Sequence, residues 1–360
     1  WPGGWTPFID CDDLKKKFPF RTAYNELTVG DTKHTIFGIP DYGQNGPKPL
    51  TIVSRRQRDE WANMSDSSQG QSLTDSLPNL NVVEVDNSIA PDEDCGKQIR
   101  VIEYNAERGR WWKEAADMMK DFDVIILNEM DIGMARSDQQ HTTRQMAQYL
   151  RMNYAWGLEF VELTLGDSHD RTVVTENDHN FYGLHGNAFL SKCKISDPVI
   201  FRSGIGSFFS DDKNNDKTAF GLERRLGGRM AMLGRIMVDG SPVVVGSMHK
   251  SGNAKEIKDY IGSSQAVLAG DQQGIFCQNI GLEKILSTGH LNHGTWKASC
   301  SSTGSRRGDN ICSNMAVIEP EDVKVPCVKR YGLELLMSDH AFTWAGLVSN
   351  RAANQVVETS

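Results

Sequence analysis

Nowhere in its 360 residues does this chain hold an apolar run approaching the roughly 20 residues that a membrane-spanning helix needs. It has no CxxC pair. None of its seven cysteines, at 11, 95, 193, 277, 300, 312 and 327, keeps a zinc-type spacing to a histidine, which argues against the usual zinc modules. No internal repeat is visible. A surplus of basic residues is also missing: 39 Lys and Arg stand against 47 Asp and Glu, for a net charge of −8. That balance speaks against sequence-independent clinging to nucleic acid or to anionic membrane. It leaves open an enzyme that meets a polyanion through a local basic patch or a bound metal.

What is present is enough for a core. Apolar residues make up 39% of the chain, which suffices for one large domain or two ordinary ones. Cys300 and Cys312 flank a Ser/Gly/Arg segment and could close a short disulfide, with scattered thiols as the equal alternative. The chain begins at Trp1, which fits a removed signal peptide or a boundary set in expression. Asn63-Met64-Ser65 is a glycosylation sequon. Together these lead us to expect an extracellular protein, or one in the lumen of the secretory pathway.

Residues 1 to 97 read as an irregular extension packed on the main domain. They contain a basic cluster (Lys15, Lys16, Lys17), a hairpin around HTIFGIPDYG, a second basic cluster (Arg55, Arg56, Arg58) and a polar loop from Ser65 to Ser76. Such charge runs are more often solvated faces than ligand sites. From Gln98 the texture changes. Strands are expected over Ile99–Asn105, Asp123–Asn128, Ala155–Leu163, Tyr182–Ser191, Ile195–Phe201, Arg229–Val238, Val243–His249 and up to Gly270, with further strands near Asn310–Ile318 and Val323–Val328. Helices are expected over Gly109–Lys120, Gln139–Met152 and Ala254–Gln265, and a hairpin turn at Asp239-Gly240. The main domain then covers residues 98–347, and 348–360 form a tail.

Polar residues recur at the ends of these strands: Asn105 and Glu107, then Glu129, His249, Asp271, and finally Asp339-His340. Carboxylates with an amide oxygen and no cysteine partner are a hard-ligand set, suited to Mg²⁺, Mn²⁺ or Ca²⁺. Such an ion polarises a phosphoryl oxygen while a separate carboxylate activates water. Two histidines would hold the nonbridging oxygens or protonate the leaving group. Singly, each residue has a bland reading as a turn, a cap or satisfied structure; six of them at strand ends in one chain do not.

The order of motifs resembles the endonuclease/exonuclease/phosphatase superfamily of metal-dependent phosphoesterases, over roughly residues 98 to 347. The match runs through YNAE (Asn105, Glu107), ILNE (Glu129), HGNAFLS, the strand-end His249, the GDxN-type turn at Asp271, GDNICSN and the closing SDH. The resemblance implies an α/β (α+β) four-layer sandwich of the deoxyribonuclease I type, two packed mixed or antiparallel sheets flanked by helices. It also implies Asn105, Glu107, Glu129 and Asp339 around the metal, and Asp271 as the water-activating base. His249 and His340 would stabilise transition-state charge, with Asp309 orienting His340. His185, Asn187 and Lys250 are candidates for substrate binding, and structural support is the reading favoured for the first two. Arg108, Arg224, Arg225 and Arg229 are further candidates for a phosphate, with surface charge the favoured reading. One departure stands out: Gln273 replaces the Asn usual in that turn, giving the same amide on a longer stem.

The expected activity is hydrolysis of a phosphoester by in-line attack of water on a soluble substrate. Nucleic acid stays open as a substrate, as does a sphingomyelinase-type phospholipase C activity. A non-catalytic binding protein on the same fold is the rival from another class. No transmembrane segment and no obligate protein partner are expected.

Overall fold

The structure, a computed structural model, describes residues 24–29, 32–37, 53–64, 69–77, 80–167, 170, 173–175, 177–202, 224–249, 253–271, 276–287, 309–324, 327–330, 333–336, 338 and 342–350. The chain divides into two compact units, residues 1–41 and 42–360. The first contains an antiparallel strand pair, β1 (Tyr24–Val29) and β2 (Thr32–Phe37), with Val29 opposite Thr32. The expected hairpin therefore begins earlier than His34, and HTIF belongs to its second strand.

The second unit opens with α1 (Arg55–Ala62) and α2 (Gln69–Asp75). Both correct the sequence reading. The second basic cluster is the start of a helix capped by the Ser54 hydroxyl, which accepts from the Gln57 N–H at 3.3 Å. Arg58 is buried and donates to four carbonyls: Val53 and Asn180 at 2.5 Å, Tyr182 at 2.9 Å and Phe181 at 3.1 Å. Burial pulls its pKa down to about 10. A lone arginine in a basic run can serve as an internal donor, which composition does not reveal. The polar stretch read as a loop is in part α2.

Two sheets follow. One runs β15 (Ala316–Lys324), β18 (Phe342–Val348), β4 (Gln98–Arg108), β5 (Val124–Ile132), β7 (Leu184–Ser191), β6 (Asn153–Glu162), β3 (Val83–Asp86), with the short β9 (Arg225–Gly227) also on β6. The other runs β13 (Glu283–Ser287), β14 (Asp309–Ser313), β12 (Gln265–Asp271), β11 (Ser241–Met248), β10 (Met230–Val238), β8 (Ser196–Arg202). A separate pair joins β16 (Cys327–Arg330) to β17 (Leu333–Leu336). Only β4–β5 and β11–β12 are parallel neighbours among the described ladders, so both sheets are mixed. The first sheet already recruits β3, upstream of the change of texture at Gln98. β13 was not expected. The Asp239-Gly240 turn is as read: Val238 faces Ser241, and both turn residues have positive φ, 52° and 69°, the requirement of a two-residue hairpin with the native twist.

The sheets pack face to face over Ile99, Val101, Val124, Ile126, Phe189, Val243, Val245, Val267, Ala269 and Ile311. On the outer face of the β8–β14 sheet, α5 (Ala254–Ile261) and α6 (Phe276–Asn279) bury Ile257, Ile261 and Cys277 against Leu233, Val244 and Leu268. Against the other sheet, α4 (Thr142–Leu150) packs on β5 and β6, beside α3 (Trp112–Met119). The result is the four-layer α/β sandwich. Disulfides join Cys95 to Cys193 and Cys277 to Cys312. Cys312 thus pairs with Cys277, which brings α6 onto β14, and not with Cys300, which lies outside the described residues. Among the described residues no helix is long and apolar enough to cross a membrane.

Side chains two apart on a strand share a face, so the inter-sheet layer can be followed along each strand. On β4, Ile99 and Val101 give way to Glu103 and Asn105; on β5, Val124 and Ile126 to Asn128. On β11, Val243 and Val245 lead to Ser247, and on β12, Val267 and Ala269 lead to Asp271. The layer is apolar at one end and polar at the other, and it is buried throughout.

Candidate active site

The polar end forms where β4, β5, β6, β11 and β12 finish and where β7 and β14 begin. Three neighbouring ladders slip register at this level. Asn105 pairs with Asn128, but the next pair is Arg108 with Met130. Leu127 pairs with Ala188, then Met130 with Gly186; Leu158 pairs with Gly186, then Phe160 with His185. Each slip inserts one residue, a β-bulge, which bends the strand and re-aims its side chains. The residues inserted at these slips include Glu107, Glu129 and Glu159. Glu107, Arg108 and Glu129 hold positive φ (42°, 78° and 60°), a backbone cost of order 1–3 kcal/mol each.

His249, directly after β11, is the centre of the cluster and is fully buried. Its Nδ1 lies 2.8 Å from Glu159 Oε2, and its Nε2 lies 3.5 Å from Asp271 Oδ2 and 3.7 Å from Glu129 Oε1. Arg229 Nη1 is 3.0 Å from Glu159 Oε1 and sits 2.8 and 2.6 Å from the two ring nitrogens. A nitrogen so nearly equidistant from both lies along the lone-pair axis of neither. That leaves Nδ1 to Glu159 and Nε2 to the two carboxylates. Burial and Arg229 both oppose charge on His249, yet Glu159 and Asp271 outweigh them and its pKa is raised. Burial likewise opposes ionisation of Glu159, but His249 and Arg229 hold its pKa at about 2.

Around this centre the polar residues are tied together. Asn187 Nδ2 donates to Glu159 Oε2 at 3.0 Å, while its Oδ1 accepts from the Glu129 N–H at 3.2 Å and from Asn128 Nδ2 at 3.1 Å. Asn128 also donates to Ser247 Oγ at 2.9 Å and accepts from the Asp271 N–H at 2.9 Å, so it locks β5, β11 and β12 in register. Asp271 requires a glycine before it. Gly270 has φ +143°, and a Cβ there would stand 1.9 Å from Met248 O and 2.6 Å from Asn128 Oδ1. Asp309, buried on β14, is the cross-strand neighbour of Asp271.

On the other side, Asn105 Nδ2 donates to Glu129 Oε1 at 3.2 Å, and Asn105 Oδ1 accepts from the Glu107 N–H at 3.1 Å. Arg108 Nη1 meets Glu129 Oε2 at 2.8 Å, and the Glu107 carboxylate faces Arg110 at 3.5 Å. Ser338 donates to the Asn105 carbonyl at 2.7 Å, anchoring the chain just before Asp339. Among the described residues no group of three His, Cys, Asp or Glu is placed to hold a metal ion. The donors at the buried Asn105 and the partly exposed Glu129 are nonetheless oxygen-only and free of thiolate. That suits Mg²⁺, which keeps several waters and takes one or two carboxylates.

The structure thus gathers Asn105, Glu129, Asn187, His249, Asp271 and Asp309 at one edge. His185 belongs to a second network: its Nδ1 is 2.7 Å from Asp131, which is itself paired with the fully buried Arg136 at 2.8 Å, and burial lowers its pKa. Lys250, Gln273, Asp339 and His340 lie outside the described residues. The surface reading of the arginines is corrected. Arg108 and Arg229 line the site, Arg225 pairs with Glu162 at 2.7 Å, and Arg224 donates to Ala62 O and to Met64 O, the latter at 2.7 Å. Glu159 was missed. The available signal was two glutamates inside GLEFVE, an otherwise apolar strand; a carboxylate there needs a buried cation or donor.

No protein-family model and no curated protein sequence matches this chain. Among solved structures, it is similar to an endonuclease/exonuclease/phosphatase from Beutenbergia cavernae at 16% identity, over 70% of this chain and 72% of that one, with a TM-score of 0.44. An endonuclease/exonuclease/phosphatase family protein from Leptotrichia buccalis has 14% identity over 69% and 99% of the two chains, TM-score 0.42. A 3'-5' exonuclease from Neisseria meningitidis has 13% identity over 69% and 100%, TM-score 0.42.

Proposed function

We propose that this chain is a divalent-metal-dependent phosphoester hydrolase that uses in-line attack of water. The observation that carries the reading is His249, a buried imidazole whose Nδ1 is fixed by Glu159 while its Nε2 faces Asp271 and Glu129. A ring so held presents one N–H to whatever enters between the two carboxylates. Its pKa is raised, chiefly by Glu159 and Asp271, which favours the protonated ring, suited to charge developing on a phosphoryl oxygen. Asp271, whose N–H is pinned by Asn128, is the base that orients and deprotonates the attacking water. Glu129 with Asn105 beside it, and Asp339 and Glu107 by resemblance, would hold Mg²⁺ or Mn²⁺. When bound, the ion supplies charge neutralisation at the phosphoryl oxygens. By resemblance, His340 with Asp309 as its partner would serve the leaving group, and Gln273 would donate to the phosphoryl group.

The two disulfides support an extracellular or secretory-lumen setting. A soluble phosphoester is the favoured substrate class, given the acidic balance of the chain. The test is hydrolysis of bis(p-nitrophenyl) phosphate and p-nitrophenyl phosphate with Mg²⁺ or Mn²⁺, then with excess chelator. Turnover should require the ion and return when it is restored. Turnover that persists in chelator would overturn the metal dependence, and no turnover on either ester with any divalent ion would overturn the assignment in favour of a binding protein.

A further inference from the structure

Beyond the catalytic groups, Glu129 has a partner whose geometry suggests a second task. Arg108 meets Glu129 Oε2 at 2.8 Å through Nη1, while its Nη2 lies 3.1 Å from Asp167 and its Nε 3.8 Å from Asp170. The guanidinium therefore bridges the proposed metal carboxylate and two further acids at once. The second pair is firmly built. Asp170 Oδ2 accepts from the Asp167 N–H at 3.1 Å and from Arg136 at 3.2 Å, and Gly166 leaves room for it, since a Cβ there would stand 2.0 Å away. Arg136 continues the network to Asp131 and Glu162, and Glu162 to Arg225. Glu129, Asp167, Asp170, Asp131 and Glu162 are five carboxylates facing three guanidiniums. The surplus of two negative charges is the charge of one divalent cation.

The geometry points to Arg108 as an internal counter-cation of Glu129. It holds the carboxylate until a divalent ion takes it, and Asp167 and Asp170 then keep the guanidinium. This rests on the metal reading above. Nη2 and Nε already face the receiving acids, so the contact to Glu129 can break while those to Asp167 and Asp170 stay. Each of these partly buried charges keeps an opposite charge beside it, which is the condition for moving one without a large desolvation cost. Arg108 then sets the affinity for the ion and does not itself touch the reacting atoms.

The test is Mn²⁺ affinity of the full chain, measured by the paramagnetic resonance signal of the free ion, without substrate. Arg108→Met should bind Mn²⁺ about tenfold more tightly, the size of coupling usual in contacting charge networks. Asp167→Asn should weaken binding severalfold in the wild-type background and have no effect in the Arg108→Met background. Unchanged or weaker affinity in Arg108→Met would overturn the inference, as would an equal effect of Asp167→Asn in both backgrounds, the mark of simple long-range electrostatics. If Arg108→Met does not fold, Arg108→Lys replaces it. That variant keeps the charge but loses the span between the two acids, and should also bind more tightly; unchanged affinity would again overturn the inference. Glu129→Gln separates the two readings: it should abolish Mn²⁺ binding, and an unchanged affinity there would overturn the metal reading itself.

Discussion

Replacing Glu159 by Gln removes one negative charge from the centre of the cluster while keeping its shape. Glu159 is fully buried, and its carboxylate serves His249 Nδ1, Arg229 and Asn187 at 2.8 to 3.0 Å. Its pKa falls from 4.5 to about 2 in the folded chain. At about 1.4 kcal/mol per unit, that is a stabilisation of about 3 kcal/mol. Because the folded pKa is the lower one, the contribution is fully present above pH 4.5 and is lost as pH falls towards 2. Urea denaturation of the wild type should therefore lose on the order of 3 kcal/mol between pH 5 and pH 2 beyond what Glu159→Gln loses. At neutral pH the variant leaves the buried His249 and the partly buried Arg229 without the Glu159 carboxylate, and His249 is no longer held in register. Turnover on a bis-aryl phosphate should fall by about a hundredfold or more, as for other catalytic imidazoles deprived of their orienting carboxylate. Wild-type turnover together with an unchanged acid limb would refute the reasoning.

Gly270→Ala should cost more than 2 kcal/mol in urea denaturation, because its methyl would meet Met248 O and the Asn128 amide at a positive φ. Since Asp271 is the next residue, whatever variant folds should have lost most of its activity. Cys277→Ser with Cys312→Ser opens a loop of 35 residues, worth about 4 kcal/mol in the chain-entropy picture, and guanidinium denaturation should show a loss of that order.

Much of the fold could be read from the chain. DVIILN, VVVGSMH and AVLAGD are short apolar runs ending on polar residues, and such runs become buried strands whose last side chains stand at one edge. The Asp-Gly hairpin was legible for a similar reason, since few sequences tolerate two consecutive positive φ values. Glu129, His249 and Asp271 were legible because they follow apolar runs directly. Glu159 was not. It sits inside its strand, and only the bulge after Leu158 turns it into the site; a bulge is a matter of partner register and leaves no mark in the strand's own pattern. Arg58, Arg108 and Arg229 were hidden for a different cause. The sequence shows a charge, but whether it meets water or a ring of carbonyls and carboxylates depends on segments more than fifty residues away, such as Asn180 to Tyr182 for Arg58 and Asp167 for Arg108. Cys312 found Cys277 because β12, β13 and β14 bring α6 alongside, a long-range event that spacing alone does not encode.

The central claim is that Asp271 activates the attacking water beside His249. Its most direct measurement is the rate of bis(p-nitrophenyl) phosphate hydrolysis by Asp271→Asn in saturating Mn²⁺, alongside circular dichroism of the same sample. The account predicts a loss of about a hundredfold to ten-thousandfold with the fold intact, the range for removing a general base. A folded Asp271→Asn protein turning over at the wild-type rate would contradict it.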